Sequence, residues 1–301
     1  MKEIINNMDL REFFKDDKVV RTGMWLARLT PRKVGYHVAK IAGNRIADSK
    51  SAVYQQLREN LSHIPRTDDQ PGKLDELARR AFINAGKVYY DFYHSVGKPP
   101  SEIIKKVNIP DKLLEDVAEI QAEGRGVLLA GIHLSNFDLG SLCLSSLGLE
   151  IQGLSAANPN DGYMFQNEIR MKYGFHATPI NPKSLRKAIT NLKQGKIVGT
   201  GLDWPHHEVE ELTEVFGKPA YVPLGTARLA MMTNAVTIII AFYKDSLPEY
   251  QLFFSEPMDV IQTGTKQEQI RSNTRMYMEY FEKYVSLKPD QWMMYHKFWA
   301  N

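Results

Sequence analysis

GVLLAGIHLSNFDLG, residues 126–140, carries a short apolar run into a histidine, His133, and places an aspartate, Asp138, five positions further on. On an unbroken helix five residues turn the second side chain well away from the first, and on a strand they put it on the opposite face. The pair can act together only across a bend. GVLLAGI reads as a buried strand and 136–147 as a helix, with Ser135 at the expected N-cap and Asp138 three residues on, as in a capping box. His133 then stands at the carboxyl edge of a sheet, where open α/β folds bind their ligands. The helix N-terminus beside it offers N–H groups, expected around Leu134 to Asn136, and a positive dipole end to a developing oxyanion.

Outward from this stretch the chain changes character twice. Residues 19–47, 51–61 and 74–93 carry apolar side chains at steps of three and four, so 1–120 reads as a helical part, with a loop at 66–72. From residue 121, the runs 126–132, 150–156, 196–202, 236–243 and 250–256 read as strands. Predicted helices at 136–147, 162–173, 183–193, 226–233 and 267–284 lie between or beyond them. This alternation predicts an α/β fold: a mixed, largely parallel central sheet with helices on both faces and a helical N-terminal region, in one domain over 1–301.

Composition narrows the function. At 301 residues and 43% hydrophobic content the chain can bury a large core. A net charge of +3 excludes a strongly basic polyanion binder, but residues 11–50 hold ten Lys and Arg against four acids, which leaves the remainder net negative. One cysteine, Cys143, excludes an internal disulfide and a cysteine-rich zinc site. The opening MKEIINNMDLREFFKDD has no apolar centre, so no secretory signal is expected there. No apolar run approaches the roughly 20 residues of a spanning helix. The basic, Trp25-bearing segment 18–33 fits either a solvated helix face or an interfacial helix drawn to anionic lipid.

An imidazole can take a proton from a hydroxyl near neutral pH, and a carboxylate on its other nitrogen would fix the tautomer and steady the imidazolium. Spacing alone leaves His133 equally readable as a strand-end histidine and Asp138 as a capping acid. Asp203, ending the strand KIVGTGL, reaches the same sheet edge and competes with Asp138 as the partner of His133. Adjacent His206 and His207 with Glu208 make a poor metal set, so no metal is expected. Cys143 reads as a buried small apolar residue, and Tyr295, His296 and Trp299 as packing for the C-terminus.

Five stretches, in order, resemble the lipid A lauroyl/myristoyl acyltransferase family, which includes the phosphatidylinositol mannoside acyltransferases and falls among the glycerolipid acyltransferases marked by H-x4-D/E. They are GRGVLLAGIHLSNFDLG, NPNDGYMFQNEIRMKYGFHATPI, LKQGKIVGTGLDWP, FGKPAYVPLGTARLAMMTNA and PDQWMMYHKFW. The chain departs from the lipid A branch in having Ser135-Asn136-Phe137-Asp138 where Gly-Asn-Trp and a glutamate are usual, and Trp204-Pro205-His206 after Asp203. The apolar anchor helix with which many relatives begin is not expected here.

The resemblance implies an O-acyltransferase that needs no cofactor. It would move a fatty acyl chain from acyl-CoA or acyl carrier protein to a hydroxyl of a membrane glycolipid or phospholipid. The expected setting is peripheral, at the cytoplasmic face of the plasma membrane. His133, Asp138 and Asp203 would be catalytic, with Arg170, Ser135, Asn136 and Phe137 binding substrate. A thioesterase or lipid hydrolase using the same histidine and acid, and a lipid-binding protein without chemistry, remain as alternatives. No nucleic-acid partner is expected.

Overall fold

Successive side chains alternate across a strand, and in Val127–Gly131 both sets are apolar or small, so this strand has to be covered on both faces. The computed structural model describes residues 17–65, 72–205 and 212–300. Helices α1 (Asp17–Leu29), α2 (Arg32–Ser49), α3 (Ala52–Ser62), α4 (Lys73–Ser95) and α5 (Pro100–Ile103) come first. Then follow β1 (Val107–Asn108), α6 (Asp111–Ala122), β2 (Val127–Gly131), α7 (Phe137–Ser146), β3 (Ile151–Ser155), α8 (Asp161–Lys172), β4 (Phe175–Pro179), α9 (Pro182–Lys193) and β5 (Ile197–Gly201). The chain closes with β6 (Thr213–Val215), β7 (Lys218–Ala220), α10 (Gly225–Thr233), β8 (Val236–Lys244), β9 (Tyr250–Phe254) and α11 (Lys266–Leu287).

Seven strands form one sheet in the order β1-β9-β8-β2-β5-β3-β4. Only β8 and β9 run antiparallel within it. Strands β6 and β7 make a separate antiparallel pair. The fold is therefore the α/β class that the alternation predicts. Val127 and Leu129 of β2, with Ile238 and Ile240 of β8, pack with Val117 of α6, Leu139 and Leu142 of α7 and Ile169 of α8. On the opposite face Leu128 and Val198 meet α9 and α10, while Ala130 and Ile239 meet Met278 and Phe281 of α11 and the C-terminal Trp292 and Phe298. Each buried aliphatic side chain contributes about 1.5–3 kcal/mol, which is why neither face is left open.

The sequence reading misses β1, β4, β6, β7, α5 and α6. Strand β4, FHATP, alternates little in burial and ends on a proline, as an edge strand tolerates. The others are two to four residues long, except α6, whose apolar stripe is interrupted by acids.

Two close approaches shape the molecule around the first stretch. Helix α2 lies on α4 through the buried small residues Gly35, Ala39, Gly43 and Ala47, and a Cβ on Gly43 would come 2.7 Å from the backbone of Ile83. Its other face, and that of α1, point large apolar side chains outward: Val34, Val38 and Ile41 on α2, and Trp25, Leu26 and Leu29 on α1, Trp25 being 60% exposed. No helix among the described residues is long and apolar enough to cross a membrane. Helix α7 reaches the sheet at Gly140, where a Cβ would sit 2.3 Å from the buried ring of Phe242. Gly140→Ala is expected to lower stability by about 1–3 kcal/mol, because the ring and the helix must move apart to admit the methyl group. A lower midpoint of urea unfolding measures it.

Candidate active site

Strands β2 and β5 are parallel and in register to their last residues, Gly131 opposite Gly201. The next backbone bond, from Leu202 N–H to the Gly131 carbonyl at 2.8 Å, carries the pairing one step further. Asp203 therefore leaves the sheet beside His133. One carboxylate oxygen of Asp203 lies 2.6 Å from His133 Nδ1, and both accept from the His133 backbone N–H at 3.1 Å. The other oxygen also accepts the indole N–H of Trp292 at 2.8 Å. An ionised carboxylate can only accept, so Nδ1 carries its proton toward Asp203 and Nε2 is left as the basic nitrogen. Asp203 is wholly buried, whereas the His133 side chain is 21% exposed. Burial, the largest influence, pulls the His133 pKa down. The charge of Asp203, its hydrogen bond and the more distant charge of Asp138 together outweigh that and hold the imidazole above its ordinary value.

The second acid faces another partner. Asp138 Oδ1 accepts from Arg170 Nε at 2.9 Å and from Nη2 at 2.5 Å, and Arg170 Nη1 donates to the Asn167 side chain at 2.5 Å. Tyr163 adds a hydrogen bond and lies under the guanidinium, 5.1 Å from its ring centre. Of the two acids the sequence leaves open, Asp203 is the one on the histidine ring, and Asp138 is the counter-ion of a buried arginine.

The turn between His133 and α7 differs from the expected cap. Asn136, not Ser135, is the N-cap: its side-chain oxygen accepts the Leu139 N–H at 3.2 Å, and its amide donates to the Val88 carbonyl at 3.1 Å. Ser135 adopts φ 50°, the left-handed bend that swings the chain from strand to helix. Its N–H is taken by the Gln291 carbonyl at 2.8 Å, and that of Leu134 by the Ile132 carbonyl at 2.7 Å. Of the free donors expected at Leu134 to Asn136, the first two are thus taken, which leaves Asn136 together with Phe137 and Asp138 in the first turn of α7.

A cleft opens between α7 and the carboxyl half of the sheet. His133, Phe137, Asp138, Tyr163 and Arg170 line its polar end. Leu129, Leu144, Ile151, Phe175, Gly199 and Phe242 line the apolar depth. Of the residues expected to bind substrate, Phe137 and Arg170 line the cleft, whereas Ser135 and Asn136 are buried and do not line it. Phe137 meets the His133 ring edge-on at 4.8 Å, and Trp204, half exposed, lies 5.4 Å from it on another side. Sequence reasoning gave no role to Trp292 or Tyr163. The signal for the first was present in PDQWMMYHKFW, a tryptophan in an otherwise polar turn.

Cys143 is buried in α7, and Trp299 packs into the core as expected. His206, His207 and Glu208, and all but the end of the predicted 66–72 loop, lie outside the described residues. Among the described residues no three His, Cys, Asp or Glu side chains are placed to hold a metal ion. Removing one member of a buried ion pair strands the other, so Arg170→Ala is expected to cost about 3–5 kcal/mol, whereas the paired change Asp138→Leu with Arg170→Met restores most of it. Urea unfolding of the two proteins makes the comparison.

The chain has likenesses among known proteins. Over 201 residues the chain is 27% identical to the lipid A biosynthesis lauroyltransferase of Escherichia coli K12, a match that covers 61% of this chain and 59% of that protein. The crystal structure of the 1-acyl-sn-glycerophosphate acyltransferase PlsC from Thermotoga maritima aligns over 86% of this chain and 99% of its own, at 12% identity and a TM-score of 0.39. The description of the bacterial lipid A biosynthesis acyltransferases fits residues 15–301. With nearly the whole chain matched, His133 and Asp203 included, this protein belongs to the bacterial lipid A biosynthesis acyltransferase family.

Proposed function

We propose that this protein transfers a fatty acyl chain from a thioester, acyl-CoA or acyl carrier protein, to a hydroxyl of a membrane glycolipid or phospholipid. The observation that carries the reading is the His133–Asp203 pair at the head of an apolar cleft. Nε2 of His133 takes the proton as the acceptor oxygen attacks the thioester carbonyl. The first turn of α7, through the N–H groups of Phe137 and Asp138, faces the negative oxygen that develops. Collapse of the tetrahedral species breaks the carbon–sulfur bond, and the departing thiolate recovers the proton from the imidazolium. Asp203 keeps the ring in the tautomer that makes Nε2 basic and offsets the imidazolium charge. Arg170 acts on Asp138 and thereby on the turn that presents His133, rather than on substrate.

The apolar depth of the cleft suits a hydrocarbon tail whose reacting end stops at His133. The outward apolar faces of α1 and α2, edged by Lys18, Lys33, Lys40 and Arg45, suit peripheral contact with the bilayer where an acceptor of this kind resides.

His133→Ala should lower acyl transfer about 10²- to 10⁴-fold in a protein that still folds, although the buried Asp203 loses one donor and the unfolding midpoint drops with it. A protein keeping more than about a tenth of wild-type turnover refutes the general-base role, and free fatty acid without acylated lipid assigns the site to hydrolysis. The pH profile gives a second test. A base whose pKa is raised loses activity as pH falls through that raised value, so kcat/KM should rise through a midpoint above the roughly 6.5 of a free imidazole. Asp203→Asn removes the charge that raises it, so the midpoint should move to lower pH while the plateau drops about 10²-fold or more.

A further inference from the structure

Helix α8 has a second working face. Arg170 and Tyr163 line the cleft, while Phe165, Ile169 and Lys172 line a hollow beside α1 and the Val96–Pro100 turn after α4. A separate cavity of about 280 Å³ lies there. Its walls are apolar, with Phe165 and Ile169 both buried, but three cations line it: Arg28 of α1, Lys98 of the turn and Lys172 of α8. The turn is fixed in place. Gly97, at φ 92°, donates its N–H to the Tyr173 hydroxyl at 2.7 Å, and that hydroxyl donates to the Lys98 carbonyl at 2.8 Å.

Among the described residues none of the three cations has a carboxylate partner. Arg28 Nη2 instead faces the Met24 sulfur at 3.6 Å. Burial, and then the charge of nearby Lys106, hold the Lys98 ammonium below its ordinary value, with Glu102 and Asp91 offsetting only part of this. Three cations lining an apolar hollow, with no carboxylate ion-paired to them among the described residues, match an anionic head joined to a hydrocarbon. The position agrees. Arg28 lies on α1 between this cavity and the outward face of Trp25, Leu26 and Leu29, so a phosphate here would have its tails beside those side chains.

We infer that the cavity between α1, α8 and the Val96–Pro100 turn is a second lipid site, which binds the phosphate of an anionic phospholipid from the bilayer, apart from the acyl-transfer cleft. The site holds lipid by head and tail and performs no chemistry. It does not depend on the His133 reading, since His133→Ala should bind the lipid as wild type does.

The test is calorimetric titration of the full chain with dioctanoyl phosphatidylglycerol below its micelle concentration, so that no membrane is needed. Wild type should bind it saturably. Arg28→Gln, Lys98→Gln and Lys172→Gln combined should weaken binding about tenfold or more. An equal charge loss on the exposed face of α9, by Arg186→Gln, Lys187→Gln and Lys193→Gln, should change it by no more than about twofold. Equal losses in the two triple variants, or equal binding of dioctanoyl phosphatidylcholine, overturn the proposal. Inorganic phosphate binding as tightly as the lipid assigns the cations to a free anion and overturns it as well. So does a complex with acyl carrier protein that only the first triple variant abolishes, with no lipid bound.

Discussion

A carboxylate with no exposure to water has to be surrounded by donors, and Asp203 is. It receives the imidazole and backbone N–H of His133 and the indole N–H of Trp292. These groups come from the end of β2 and from the C-terminal segment, and Asp203 itself follows β5, so one buried charge fixes three remote pieces of chain to each other. The same C-terminal segment runs alongside the loop it meets. Gln291 accepts the Ser135 N–H, Met293 donates to the His133 carbonyl, and the Gln291 side chain bonds both the N–H and the carbonyl of Lys244 at the end of β8. His133 is thus clamped by backbone on each side of its own residue before its ring touches anything.

Two acids near one imidazole could compete, and the arrangement prevents it. Arg170 engages Asp138 through two N–H groups, and Asn167 and Tyr163 hold Arg170 from behind. Asp138 is therefore neutralised locally, and its remaining influence on His133 is a field at longer range that adds to the pull of Asp203. Dividing the work this way gives one carboxylate the ring and the other the helix that starts beneath it. The five-residue spacing is explained by the second task, because it sets Asp138 on the first turn of α7, where α8 can reach it.

How much of this the sequence disclosed follows from the range of each interaction. The strand at 127–131, the bend after His133 and the helices around it are decided by local periodicity and were legible. So were the residues that could serve as acid and base. The choice between Asp138 and Asp203 was not, since it depends on strand register across 70 positions, which the spacing of one segment does not encode. The N-cap was misplaced because Ser135 and Asn136 are both good caps. What distinguishes them is the Gln291 carbonyl and the left-handed bend at Ser135, both tertiary features. Strand β4 escaped notice because an edge strand needs only one apolar face.

The glycines at the strand ends make room for the cleft itself. A Cβ on Gly201 would stand 3.1 Å from His133 Cε1, so any larger residue there would press on the ring that Asp203 holds from its other side. Deeper down, a Cβ on Gly153 would come 2.2 Å from the Phe175 ring, and one on Gly199 would come 3.3 Å from Ile151. The edge strand's phenylalanine can lie across the sheet only because β3 and β5 carry no side chain at those two positions. Phe175 and Ile151 thereby line the depth of the cleft, and the strand ends next to His133 and Asp203 stay clear of bulk. A polar mouth held by ion pairs and a floor of aromatic and aliphatic side chains over bare backbone are two outcomes of one arrangement of parallel strands: the register of β2 with β5 sets the first, and those of β3 with β4 and β5 set the second.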